Sequence, residues 1–270
     1  MKKFVIFLII LIVAIILYGF YIEPTRLKIT ENNIKIANMP ESFNSFKIIQ
    51  FSDLLYGSTK NIEDLKIIVN KINDLKPDIV VFTGDLISKD YKITAEEQNS
   101  IINELNKIDV TLYKYAIIGD NDLNYLDTYK TIINNSNFKL LDNETLYLFY
   151  KDKQPLKITG LTNMNELDKA LQTEEDLNAF ASIILTHYPD YIDTLKDYNI
   201  DIVLAGHSLH GQIRIPFLGA ILNKDNARIY KDNYYLVNNT KLYVSGGLGT
   251  EYISFRLLNS PEINLYRLTQ

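Results

Sequence analysis

The stretch that decides the fold is Ile48–Ser58, "IIQFSDLLYGS". Its first residues are apolar, as a strand inside a sheet requires, and Asp53 stands where that strand would end. A turn is predicted at Gly57. Because the carboxyl ends of parallel strands line one crevice, a carboxylate at this place indicates a binding site.

Short apolar runs alternate with amphipathic segments beyond this point. Lys47–Phe51 and Asp78–Thr83 are predicted strands, and Ile62–Leu75 carries apolar residues at helical spacing. Further strands are predicted in "LYKYAIIG", "SIILTH" and "DIVLAGH". This order predicts an α/β fold with a mainly parallel sheet covered by helices. No linker-like segment interrupts residues 24–270, so we expect one globular domain there.

The N-terminus predicts a membrane anchor over residues 1–23. Lys2 and Lys3 precede Phe4–Ile22, which has 19 residues and no charge. A helix of that length spans roughly 28 Å, close to the hydrocarbon thickness of a bilayer. A buried core helix is the alternative. With an anchor, the two lysines place the N-terminus in the cytoplasm and the domain on the other side of the cell membrane, as a single-pass protein.

Composition excludes several classes of function. The chain has no cysteine, which rules out disulfides, thiolate metal ligands and a cysteine nucleophile. Removing the two positive charges of Lys2 and Lys3 from the formal net charge of −5 leaves −7 on the remainder. A domain this acidic lacks the basic surface of a nucleic-acid binder, so we expect no nucleic-acid partner.

Polar residues that can bind metal follow five apolar runs of the sequence. Aspartate and histidine side chains of this kind suit Zn, Mn or Fe. A single such residue often caps a loop, but the recurrence at five strand ends indicates a metal site. The five residues are Asp53, Asp85, Asp120, His187 and His207.

The segments around these residues resemble the calcineurin-like metallophosphoesterases, and within them the membrane-anchored bacterial branch. The family's blocks D-x-H, GD, GNH-D/E, H before P-D, and GHxHGGQ correspond here to "SDLLYG", "TGDL", "IGDND", "LTHYPD" and "AGHSLHGQIRIP". The resemblance implies a four-layer αββα sandwich. It also implies a site with two metal ions that hydrolyses phosphate esters.

Carried over residue by residue, the resemblance implies one complete and one incomplete set of metal ligands. The complete set corresponds to Asp85, Asp120, His187 and His207. The second set corresponds to Asp53, Leu55, Asp85 and Leu209, and leucine cannot coordinate a metal. We therefore expect one divalent transition-metal ion (Mn, Zn or Fe) and a second site that is lost.

The catalytic histidine of the family is also replaced. Its position corresponds to Asn121, and an amide cannot act as a general acid. His210 leaves two alternatives open. Either "GHSLHGQ" matches without a gap, with Leu209 in the place of the ligand, or a one-residue bulge brings His210 to that place.

Three further residues are candidates for contact with the substrate. Arg214 could clamp a phosphate, and Tyr56 and Tyr125 are predicted to flank the crevice. Two functions remain open. The chain is either a phosphoesterase with one metal ion, acting on phosphate monoesters, diesters or a pyrophosphate, or an inactive membrane-tethered binding domain that keeps the fold.

Overall fold

The computed structural model describes residues 1–172 and 177–270. The α-helices are α1 Lys2–Leu17, α2 Ile62–Leu75, α3 Ala95–Leu105, α4 Leu126–Asn135 and α5 Leu167–Leu171. The strands are β1 Lys28–Lys35, β2 Lys47–Phe51, β3 Ile79–Phe82, β4 Tyr113–Ala116, β5 Phe138–Leu140, β6 Glu144–Leu148, β7 Leu156–Leu161, β8 Ala181–Thr186, β9 Ile202–Ala205, β10 Arg214–Ile215, β11 Gly219–Ala220, β12 Tyr234–Val237, β13 Thr240–Val244 and β14 Glu262–Thr269.

Two six-stranded sheets form the centre of the fold. The first has the order β1-β14-β2-β3-β4-β5 and the second the order β12-β13-β9-β8-β7-β6. Strands β2 to β5 pair in parallel, as do β7, β8 and β9. The inner faces of the sheets pack together, with Ile48 and Tyr115 of one sheet and Ile183 and Leu204 of the other in one buried cluster.

Helices cover the outer face of each sheet. Helix α2 begins at the predicted residue because Asn61 forms a capping box with Asp64. Its buried face packs with α3 and α4 on the first sheet, and each fully buried aliphatic side chain contributes about 1.5–3 kcal/mol. On the second sheet, α5 and short 3₁₀ turns pack through Leu167, Ile192 and Leu195. The four-layer αββα prediction is confirmed.

The N-terminal helical segment stands apart from these layers. Residues Lys2–Thr25 are long and apolar enough to cross a membrane, with a mean hydropathy of 3.1 over a window of 18 residues. No residue of α1 is buried, so the alternative of a core helix is wrong for this chain. The end of the segment is attached to the domain. Gly19 accepts a hydrogen bond from the Arg256 amide at 3.0 Å, and Glu23 accepts one from the Ser260 hydroxyl at 2.7 Å.

Candidate metal centre

The five predicted ligands lie at the carboxyl ends of five central strands. Asp53, Asp85 and Asp120 follow β2, β3 and β4, which are neighbours in the first sheet. His187 and His207 follow β8 and β9, which are neighbours in the second. Because the sheets pack face to face, the two groups of side chains meet at one end of the sandwich.

The backbone is strained at three of these positions. Asp53, Asp85 and His207 adopt left-handed conformations, with φ of 51°, 62° and 65°. Such a conformation costs about 1–3 kcal/mol in a residue other than glycine. The loop after β4 needs a glycine for a different reason, since a Cβ on Gly119 would lie 2.2 Å from Asp85 Oδ1. The strained backbone and the close approach at Gly119 thus occur where the polar side chains come together.

Four of the five side chains form a compact group of donor atoms. One ligand atom from each of Asp85, Asp120, His187 and His207 lies within 4.8 Å of all the others. His187 Nε2 lies 3.3 Å from Asp85 Oδ2 and 3.0 Å from Asp120 Oδ1. His207 Nδ1 lies 3.0 Å from Asp120 Oδ1. These separations are close to the roughly 3.4 Å between ligands that surround a metal tetrahedrally at about 2.1 Å.

Backbone carbonyls fix which imidazole nitrogen is free to bind metal. His187 Nδ1 lies 2.7 Å from the Thr83 carbonyl, and His207 Nε2 lies 2.9 Å from the Asp225 carbonyl. A carbonyl only accepts hydrogen bonds, so each of these nitrogens carries a proton. In the neutral imidazoles, His187 Nε2 and His207 Nδ1 then present lone pairs to Asp120 Oδ1. The two nitrogens also lie only 3.2 Å from each other. Three acceptor atoms in mutual contact need a proton or a cation between them, so a cation suits the group.

The pKa shifts within this group also favour a bound cation. Burial alone would lower the pKa of His187, but the carboxylates of Asp85 and Asp120 raise it well above its usual value. Burial alone would raise the pKa of Asp85, and His187 holds it below its usual value instead. Positive charge therefore stabilises this cluster, whether a proton or a metal ion supplies it.

Asp53 lies beside this group and not within it. Its Oδ2 accepts a hydrogen bond from the His207 amide at 3.1 Å. Its Oδ1 is buried and has no hydrogen-bond partner among the described residues. Burial raises the pKa of Asp53. Leu209 approaches it, because a Cβ built on Gly247 would lie 2.4 Å from Leu209 Cδ2 and 2.9 Å from Asp53 Cβ.

The Asn121 side chain is engaged with Asp85. The residue is buried, and its side-chain amide donates to Asp85 Oδ2 at 2.7 Å. Its backbone amide donates to Asp85 Oδ1 at 2.9 Å. Both contacts orient the Asp85 carboxylate, so Asn121 acts through Asp85.

His210 and Arg214 lie away from the predicted positions. The His210 ring is buried, with Nε2 2.9 Å from the Val244 carbonyl and 3.7 Å from Glu262. The His210 ring is thus directed towards Val244 and Glu262, which favours the match without a gap, with Leu209 in the place of the ligand. The Arg214 guanidinium binds Asp232 at 2.6 Å and lines a separate cavity with His210, so it is not a clamp for phosphate at this centre.

The two tyrosines also differ from the prediction. Tyr56 is buried in the core, where its ring packs against Tyr91 at 5.8 Å. It therefore does not line the crevice, because the loop after β2 turns this side chain inward. Tyr125 donates its hydroxyl to the Lys89 carbonyl at 2.9 Å, and its ring packs against the same core.

Two residues near the centre were missed from the sequence. The Asp122 carboxylate accepts hydrogen bonds from the amides of Asp85, Leu86 and Gly119, which joins the two loops that carry Asp85 and Asp120. Burial and the nearby Asp85 raise the pKa of Asp122 to about 7. Tyr188 packs edge-on against His207 at 5.0 Å. Both residues lie inside the blocks "IGDND" and "LTHYPD", and that position is the signal that could have found them.

Comparison with known proteins adds independent information. The profile of the calcineurin-like phosphoesterase family matches residues 46–211. The chain is 33% identical over 257 residues to the uncharacterized metallophosphoesterase YkuE of Bacillus subtilis, covering 93% of the chain and 88% of that protein. It is 26% identical to the UDP-2,3-diacylglucosamine pyrophosphatase LpxG of Chlamydia muridarum, covering 92% and 91%. It is 24% identical to a transmembrane protein with a metallophosphoesterase domain from Danio rerio, covering 94% of the chain and 60% of that protein.

Removing the amide at position 121 tests its role. We expect Asn121→Leu to weaken Mn²⁺ binding about 10–100-fold, because Asp85 loses the partner that orients it. Isothermal titration of the full-length protein in detergent measures this affinity. Asn124→Leu is the matched control, since the Asn124 side chain donates to the Asn121 carbonyl and not to a predicted ligand among the described residues. Equal affinities of the two variants would contradict the assignment.

Proposed function

The chain belongs to the calcineurin-like phosphoesterase family, and we propose that it is a hydrolase of phosphate esters that works with one divalent transition-metal ion. The observation that carries this proposal is the group of donor atoms around Asp120 Oδ1, which lies 3.0 Å from an imidazole nitrogen of His187 and 3.0 Å from one of His207. Mn, Zn or Fe suits a set of two carboxylates and two imidazoles. Asp85, Asp120, His187 and His207 would hold the ion.

In such a site the ion would supply the Lewis acid, and the protein orients the ligands. A bound ion would polarise a phosphoryl oxygen and lower the pKa of a water molecule. The Thr83 and Asp225 carbonyls orient the two imidazoles, and Asn121 orients Asp85. These contacts hold the donor atoms in place before a ligand arrives, so binding requires little rearrangement.

The residues near the centre restrict the leaving group. The Asn121 amide does not titrate and is engaged with Asp85, and His210 faces Glu262 instead of the centre. Neither residue can protonate a leaving oxygen, and general acid catalysis contributes about 10²–10⁴ in rate. Leaving groups that are stable as anions are therefore preferred. A diphosphate linkage, such as the substrate named for LpxG, and an aryl ester both meet this condition.

Substrate preference tests the activity. We expect the Mn²⁺-loaded full-length protein to hydrolyse bis(p-nitrophenyl) phosphate with a kcat/KM at least about 10²-fold above that for glycerol phosphate, because only the alkyl leaving group needs a proton. His207→Ala is the control and should abolish both activities. Faster turnover of the alkyl monoester would refute the missing-acid argument.

A binding domain without turnover is the second candidate function. It is favoured by Leu55 and Leu209, which are buried and stand where the family pattern has two metal ligands. The substrate experiment separates the two functions. If metal binds normally but neither ester is hydrolysed above the His207→Ala background, the binding domain is the better description.

We further propose that residues 1–23 anchor the domain of residues 24–270 in the cell membrane, with the domain outside the cytoplasm. Apolar side chains at the tip of the β10–β11 hairpin support this arrangement. Phe217 and Leu218 are 108% and 79% exposed. The hairpin lies near the end of the anchor. The Arg214 amide donates a hydrogen bond to the Leu257 carbonyl, and the amide of Arg256, which precedes Leu257, donates one to the Gly19 carbonyl. A bilayer surface would cover these side chains.

Because the chain has no cysteine, its orientation can be mapped with single cysteine substitutions. Lys71→Cys replaces an exposed residue of α2, and we expect a membrane-impermeant maleimide to label it in intact cells, or in spheroplasts where an outer membrane is present. Lys3→Cys is the matched control and should be labelled only after permeabilisation. The opposite pattern would reverse the proposed orientation.

A further inference from the structure

A buried lysine stands at the wall of the cleft that opens on the metal centre. Lys224 lies one residue before Asp225, whose carbonyl orients His207. Its side chain is 8% exposed, and Nζ lies 2.6 Å from Glu251 Oε2. Lys224 lines a cavity of about 290 Å³ together with Asp120, Tyr188 and His207. One wall of this cavity is thus the metal centre itself.

The ammonium group has hydrogen-bonding capacity to spare. Lys224 Nζ and Glu251 Oε2 form an ion pair. Within the described residues, neither atom has a hydrogen-bond partner with suitable angles. An ammonium carries three N–H donors, and one carboxylate does not satisfy them. Nζ is itself buried, and a ligand with oxygen acceptors in the cavity that Lys224 lines would satisfy these donors.

The charge of Lys224 belongs to the same electrostatic system as the metal centre. Burial alone would lower its pKa, but Glu251, Asp53 and Asp85 raise that pKa above its ordinary value. Lys224 in turn acts to lower the pKa of Asp53 and of Asp85. The lysine is therefore a fixed cation at neutral pH.

The positive charge of Lys224 can compensate for the incomplete second set of metal ligands. Leu55 and Leu209 stand where the family pattern has two metal ligands, and a centre with one ion lacks the positive charge of a second. We propose that Lys224 supplies this charge by binding a phosphoryl oxygen of the substrate, so that one metal ion and one ammonium share the phosphate. This inference rests on the proposed function.

Glu251 positions the ammonium in this arrangement. Its backbone amide donates to Gln212 Oε1 at 2.8 Å, and Gln212 donates back to the Glu251 carbonyl at 3.1 Å. The Glu251 carboxylate is also 3.5 Å from the amide of Asn121. The ion pair is thus tied to the loop that carries Asp120, and the lysine is held next to the centre instead of extending into solvent.

Phosphate binding separates a substrate-binding lysine from a structural ion pair. We expect Lys224→Met to weaken binding of inorganic phosphate to the Mn²⁺-loaded full-length protein at least about tenfold, since a charge-assisted hydrogen bond is lost. Binding of Mn²⁺ should persist or tighten, because a positive charge is removed beside its ligands. Lys196→Met, which removes an exposed lysine paired with Asp193, is the control and should change neither affinity. Isothermal titration measures both.

The outcomes distinguish the two proposals. Unchanged phosphate affinity in Lys224→Met, with Mn²⁺ bound, would overturn the role of Lys224 and leave the one-metal site intact. Failure of the wild type to bind Mn²⁺, Zn²⁺ or Fe²⁺ would overturn both. If Lys224→Met does not fold, Lys224→Gln gives the same test, because its amide can still bond Glu251 while the positive charge is removed. Phosphate should again bind at least about tenfold more weakly, and unchanged binding would overturn the proposal.

Discussion

The rest of this site depends on the convergence of three carboxylates where the two sheets meet. Asp53 and Asp85 are fully buried, and Asp120 stands at the mouth of the cleft. Buried like charges are costly unless cations accompany them, by several kcal/mol for each unpaired ion. The surrounding residues meet this constraint with imidazoles fixed by carbonyl groups, and with Lys224, which lines the same cavity as Asp120 and His207.

The distribution of positive charge explains how the centre differs from its family pattern. Leu55 and Leu209 remove nitrogen donors from the side of Asp53, whereas Asp120 adds an anionic donor on the side of His187 and His207. The centre is therefore asymmetric. One side carries the four donor groups that can hold a metal ion, and the side of Asp53 has the apolar side chains of Leu55 and Leu209.

Much of the fold and the four-residue group could be predicted because each ligand directly follows an apolar strand. The parallel arrangement of those strands places their ends together whatever the intervening loops do. Helix α2 was predicted to its ends, since its capping residues and its apolar stripe agree. The direction of a side chain in a loop could not be predicted in the same way. Tyr56 and His210 follow the same motifs, yet left-handed residues such as Leu55 and Leu209 turn the backbone, and both rings point elsewhere.

Lys224 and Glu251 were not predicted because neither belongs to a periodic pattern. Each lies in an irregular loop, and they are 27 residues apart in the sequence. Only the folded chain brings them together at the cleft. Electrostatic partners supplied by distant loops are the part of an active site that sequence periodicity does not encode.

The most direct test of this account is the number of metal ions that each chain binds. Elemental analysis of the full-length protein, purified in detergent after saturation with Mn²⁺, Zn²⁺ or Fe²⁺, should give about one ion per chain, as one set of four ligands implies. His187→Ala or His207→Ala should remove it. Two ions per chain would contradict the asymmetric centre, and no ion under saturating supply would contradict the metal-dependent function itself.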